Sequence, residues 1–146
     1  FSGGNVTLDL NGHTIDREVG GYVSNGNVIA VRGRLTLTDS AGGGTITGGN
    51  AHSAGGVYVE NGGTFIMEGG TITENSSTTH GDGVYVNGGT FEMKAGIITA
   101  SNTALGSGVY VGSGTFTMTG GTVYAAVSDL PRKEDASGPI TQWPPA

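Results

Sequence analysis

The stretch Gly56-Val-Tyr-Val-Glu-Asn-Gly-Gly-Thr-Phe-Ile-Met-Glu-Gly-Gly-Thr-Ile-Thr73 returns, with small changes, as Gly83-Val-Tyr-Val-Asn-Gly-Gly-Thr-Phe-Glu-Met-Lys-Ala-Gly-Ile-Ile-Thr99 and again as Gly108 to Tyr124. Each copy reads apolar, polar, apolar, then a Gly-rich turn, then a second alternating run, another turn and a third. Alternation with a period of two is the mark of half-buried strands. Recurrence at a fixed interval means that equivalent side chains stack into columns along a solenoid axis.

Working outward, the second strand of the copy aligns with Leu8-Asp-Leu10, Leu35-Thr-Leu37, Phe65-Ile-Met67, Phe91-Glu-Met93 and Phe116-Thr-Met118, spaced 27, 30, 26 and 25 residues apart. The third strand recurs as Thr14-Ile-Asp16, Thr45-Ile-Thr47, Thr71-Ile-Thr73, Ile97-Ile-Thr99 and Thr122-Val-Tyr124. The first strand is present in four coils, as Ile29-Ala-Val31 and the Val-Tyr-Val triplets that begin at Val57, Val84 and Val109. Corners fall on Asn61-Gly-Gly, Asn87-Gly-Gly and Gly112-Ser-Gly, then on Gly69-Gly70 and Gly120-Gly121, residues that reach positive φ at little cost. These features predict an all-β, single-stranded parallel β-helix, a solenoid of about five coils of three short strands each, over residues 1–127.

Thirty Gly in 146 residues would suggest disorder if they were scattered, but here they sit at fixed places in the repeat. The net charge is −6 and only six Lys and Arg occur, so no basic stripe is available for phosphate backbones or anionic lipid. Nucleic acid and membrane are therefore not expected as partners, and no apolar run approaches the roughly 18 residues of a membrane span. Without Cys there is neither a disulfide framework nor a thiolate metal site. The chain begins at Phe1, and its first strand reads as an interior coil without a cap; an excised piece of a longer protein, with an N-terminal neighbour or an end-to-end contact, is expected. Residues 128–146, charged and Pro-containing, read as a linker or a C-terminal strap anchored by Leu130, Ile140 and Trp143.

The repeat resembles the right-handed, pectate-lyase-like class of parallel β-helices, and Asn5-Val-Thr-Leu-Asp-Leu-Asn-Gly-His-Thr-Ile15 looks like that class's recurring coil. The resemblance covers residues 5 to about 127 and speaks to architecture rather than activity. It is similar to the few carbohydrate-binding modules built on a parallel β-helix, which implies a secreted or cell-surface, non-catalytic bacterial module. Its implied partners are a plant polysaccharide, xylan or another β-glycan, and a covalently linked enzyme domain.

The residues that would carry binding lie in one outward column of the first strand, Ala30, Tyr58, Tyr85 and Tyr110. Aromatic faces suit the apolar faces of pyranose rings. Glu60, Asn61, Asn87, Asp82 and His80 flank the column as hydrogen-bonding groups, with Arg32 and Arg34 one coil earlier. The same rings, one coil apart, can instead stack on one another as an internal ladder, and exposure decides between the two: an open groove favours ligand, and a cover of long loops favours structure. Those loops, Glu74 to Gly81 and Ala100 to Gly106, run beside the column. A Thr-x-Thr array on the third strand is broken by Asp16, Ile97 and Tyr124.

For catalysis, clustered acids beside a basic residue, or paired carboxylates, would be required. Glu68 and Lys94 read as an exposed cross-strand pair, Glu92 has no second acid in its column, and Asp9, Asp16 and His13 read as solvated or turn-bonding groups. His52 and His80 lie in separate loops, so no zinc site and no cofactor are expected, while calcium at Asp39 or Asp82 stays open. The alternatives to a carbohydrate-binding module are a structural or adhesive segment of a large bacterial surface protein and a fragment of a polysaccharide lyase or hydrolase.

Overall fold

A computed structural model describes residues 3–101 and 107–124 and the backbone of 127–129. In chain order the strands are β1 (Asn5–Asp9), β2 (Thr14–Asp16), β3 (Ile29–Val31), β4 (Arg34–Thr38), β5 (Thr45–Thr47), β6 (Asn50–Ala51), β7 (Val57–Val59) and β8 (Thr64–Met67). There follow β9 (Thr71–Ile72), β10 (Ser76–Ser77), β11 (Gly81–Met93), β12 (Ile97–Thr99), β13 (Ser107–Met118), β14 (Thr122–Tyr124) and β15 (Val127–Asp129). All their pairings are parallel, and each joins a strand to its counterpart one coil away. The result is a parallel β-solenoid of about 4 turns.

The second strands stack as β1, β4, β8, β11 and β13, and the third strands as β2, β5, β9, β12 and β14. First strands β3 and β7 pair with one another and then with the first half of β11. In the later coils register follows the repeat, with Tyr58, Tyr85 and Tyr110 direct partners, as are Phe65, Phe91 and Phe116; in the first coil it is corrected by two residues, since Val6 and Leu8, rather than Leu8 and Leu10, face Leu35 and Leu37. In β11 and β13 the corners expected at Asn87 and Gly112 are bends within one long strand, taken up by register shifts around Asn87 and Gly89. Gly114 shows why such corners need glycine, since its φ is +96° and a Cβ there would stand 2.1 Å from the Gly89 carbonyl oxygen. β15 carries the first-strand column on to Asp129, pairing with Val109–Val111. Leu130, Ile140 and Trp143 lie outside the described residues.

Inside, β3 to β5, β7 to β9 and β11 to β14 contribute alternate residues to one continuous core, whereas β2 is exposed along its length. Val57, Val59, Val84, Val86 and Val109 line one wall, and Ile46, Ile72, Ile98 and Val123 another, all fully buried. Along the third wall Phe65 stacks on Phe91 at 4.9 Å and Phe91 on Phe116 at 4.8 Å, the planes within 19° of parallel. Stacked rings add about 0.5–1.5 kcal/mol per pair beyond the area they bury, so Phe91, between two rings, is the column's strongest link. Polar pins complete the interior. Asn75 is wholly buried; its Oδ1 accepts from Gly49 N, and its Nδ2 donates to the carbonyls of Ile46 and Thr73, tying two coils together.

Candidate functional site

The tyrosine column exists, but its rings are used on one another. Tyr58 stacks on Tyr85 with centroids 5.4 Å apart, and Tyr110 meets Tyr85 edge-on at 5.5 Å. The loop after β9 then turns back, and its His80 lies nearly parallel to Tyr85 at 4.8 Å while also touching Tyr110 at 4.6 Å. Tyr85 is left 9% exposed, in contact with three rings and, along its edge, with Gly112. Burial first, and then the neighbouring phenols of Tyr58 and Tyr110, raise the Tyr85 pKa above the usual tyrosine value. Partial burial, followed by repulsion from His52, lowers that of His80.

This geometry bears on two expectations. In the column Tyr58, Tyr85 and Tyr110 the faces of the middle ring are taken by Tyr58 and His80. Asp82 is not a surface group at all: it is completely buried, and its Oδ1 accepts from the backbone N and the Oγ of Ser77 at 2.7 and 3.1 Å. The carboxylate closes the loop it was expected to decorate. Asn87 has a similar duty, donating from Nδ2 to Tyr58 Oη at 2.9 Å and accepting from Ser113 Oγ. Glu60 takes Arg32 Nε at 2.7 Å, and Asn61 is exposed at the corner beyond it.

The loops are ordered by the same stacking. β10, within the loop before His80, pairs with β6 of the previous coil, and Thr78 and Thr79 both donate side-chain hydrogen bonds to the carbonyl of His52. Of the loop Ala100 to Gly106, residues 102–106 lie outside the described residues. Asp9 accepts from the backbone N of Asn11 and from both the N and Oγ of Ser40, bonds that lower its pKa, the Ser40 backbone bond most. Asp39 accepts from Gly12 N and Gly44 N, and Asp16 from Glu18 N. Glu68 and Lys94 form the exposed pair read from their positions, at 3.5 Å. Among the described residues, no group of three or more His, Asp or Glu stands close enough to hold a metal ion.

The open part of the column is its beginning. One coil before Tyr58 the equivalent residue is Ala30, so among the described residues no ring covers that side of Tyr58. Two adjoining cavities of about 340 and 350 Å³ share Tyr58, Asn25 and Asn27 and together form a groove there. Its wall is the segment 17–28, the loop that joins β2 to β3 and stacks on the equivalent loop, residues 47–56, of the next coil. Tyr22 rises from this segment, 54% exposed and edge-on to His52 at 6.5 Å, and Arg17 bonds to the carbonyls of Asn25 and Asn27. Tyr22, Arg17, Asn25 and Asn27 belong to no repeat, so column reasoning could not find them. Their signal was the place of that segment, an aromatic, Asn- and Ser-containing loop of the kind that joins a third strand to the next first strand and runs beside the tyrosine column.

The fold places the chain in the class of parallel β-solenoids. No family model, no curated protein and no solved structure matches it.

Proposed function

We propose that this chain is a structural and adhesive β-solenoid segment, non-catalytic, of a secreted or cell-surface bacterial protein, in which the residue columns make a stiff stack. The observation that carries this reading is the closed ring ladder: the tyrosine predicted to be the centre of a binding face is sandwiched by Tyr58, Tyr110 and His80. Self-stacked columns, paired loops and buried polar pins all act between neighbouring coils, which is how a solenoid holds its length. The test is Tyr85→Ala, read both by thermal unfolding and by affinity electrophoresis in soluble plant polysaccharides. A marked loss of stability with unchanged mobility is expected. Wild-type stability with lost retention would sink the structural reading.

A second reading, a carbohydrate-binding module for plant β-glycans such as xylan acting beside a linked enzyme domain, is favoured by one observation. The uncovered side of Tyr58 opens on a groove rimmed by Asn25, Asn27 and Tyr22. In this form the contact is one or two sugar rings at the start of the ladder rather than a chain along it. Retention that depends on Tyr58 and Tyr22 but not on Tyr110 would single it out.

A further inference from the structure

We propose that the groove between the segment 17–28 and Tyr58 binds an acidic saccharide, with a hydroxyl-rich ring against Tyr58 and its carboxylate toward Arg17 and Arg32; this rests on the carbohydrate reading of the Tyr58 face. The first observation is charge. The described residues hold four cationic side chains, Arg17, Arg32, Arg34 and Lys94, and two of them line this one groove. A neutral glycan needs neither, and a chain of net charge −6 offers an anion few other landing places. Glu60, the single acid among the described residues that line the groove, is already engaged by Arg32 through Nε, so the Nη donors of Arg32 remain for a second partner. Asp16 and Glu18, the acids beside Arg17 in sequence, line neither cavity.

The second observation is that the wall is built before any ligand arrives. Arg17 N bonds to Thr47 O, Val19 N to Gly48 O, Val23 N to Asn50 O and Val28 N to Gly56 O, so the segment is laced to the next coil along its length. At Gly26 the approach is so close that a Cβ would stand 2.1 Å from Asn50 O. The guanidinium of Arg17 is fixed by two backbone carbonyls of the same wall. Fixed donors lose little entropy when they meet a carboxylate. The third observation is the pairing of surfaces: two phenol rings, Tyr22 and Tyr58, bound one cavity, and the guanidinium groups lie at the end beyond Asn25 and Asn27. That arrangement suits a ring with an apolar face, several hydroxyls and one anionic substituent.

The test uses matched probes on the intact chain: 3′-sialyllactose against lactose, and a glucuronic-acid-terminated disaccharide against cellobiose, each titrated while the tyrosine ring protons are followed by NMR. The acidic member of each pair is expected to shift Tyr22 and Tyr58 and to bind about tenfold more tightly than its neutral partner, a preference that falls with added salt. Arg32→Gln, at an exposed side chain, is expected to remove most of that preference while leaving the neutral sugars unchanged. Tyr22→Ala, also exposed, is expected to weaken both. Equal binding of acidic and neutral members overturns the inference and leaves the carbohydrate reading standing. Absence of any shift at Tyr22 and Tyr58 overturns both.

Discussion

Replacing Tyr85 by Ala separates a ladder from a binding platform by energy alone. Burial of a large aromatic side chain makes its truncation cost about 3–5 kcal/mol, and Tyr85, 9% exposed and touching three rings, belongs near the lower end, at about 3 kcal/mol. Tyr58 is half-buried, with one ring partner and one hydrogen bond from Asn87. One ring pair and one hydrogen bond at about 0.5–1.5 kcal/mol each put Tyr58→Ala near 2 kcal/mol. For a chain of this size 1 kcal/mol moves the Tm by roughly 2–4 °C, so Tyr85→Ala should melt about 6–12 °C lower and Tyr58→Ala about 4–8 °C lower. Urea titrations followed by far-UV circular dichroism would give the free energies, with equal m-values required for the comparison. A Tyr58→Ala cost equal to that of Tyr85→Ala, or a Tyr85→Ala cost under about 0.5 kcal/mol, the size of a surface change, would refute a buried ring ladder.

Three further outcomes follow from the interior and the loops. Phe91→Leu keeps most of the buried volume but loses two ring stacks, whereas Phe65→Leu loses one because Leu35 is its other neighbour; urea unfolding should show Phe91→Leu the more costly by about 0.5–1.5 kcal/mol. Asn75→Ala leaves the buried Gly49 N–H without its acceptor and should cost about 2–3 kcal/mol, with amide exchange at Gly49 rising first. His80 has a lowered pKa in the fold, so the unfolded chain takes up the proton first. Stability should therefore be full above the ordinary value of 6.5, decline as pH falls below it, and level off below the folded pKa. A Tm-against-pH series should show that this slope disappears in His80→Gln.

The strands and their inward faces were legible because the core repeats: Phe65, Phe91 and Phe116 occupy one position in three coils, and a period of two assigns them inward without knowledge of the loops. The fate of Tyr85 was not legible. Its cover is His80, whose position depends on a loop path set by Asp82 and Ser77, and no periodic signal marks a loop that folds back on its own coil. Asp82 was misread for a related reason: an acid between two glycines looks like an exposed turn, and only the closure of the loop onto it buries it. Arg17 and Tyr22 escaped because columns expose what repeats in the strands, and this wall of the groove is a connecting loop whose side chains do not repeat.

That loop bears on how such a surface diversifies. The segment 17–28 meets the next coil through backbone hydrogen bonds to Thr47, Gly48, Asn50 and the Gly55–Gly56 corner, contacts that are blind to side-chain identity except where space is short, as at Gly26. The strands on either side, β2 and β3, draw their register from β5 and β7 rather than from the segment between them. Side chains at positions 22, 25 and 27 are therefore interchangeable parts on a fixed mount, of which the Arg17 side chain, bonded to the carbonyls of Asn25 and Asn27, is itself a piece. A solenoid of this kind can acquire a new specificity by rewriting one connecting loop while every column of its core stays as it was.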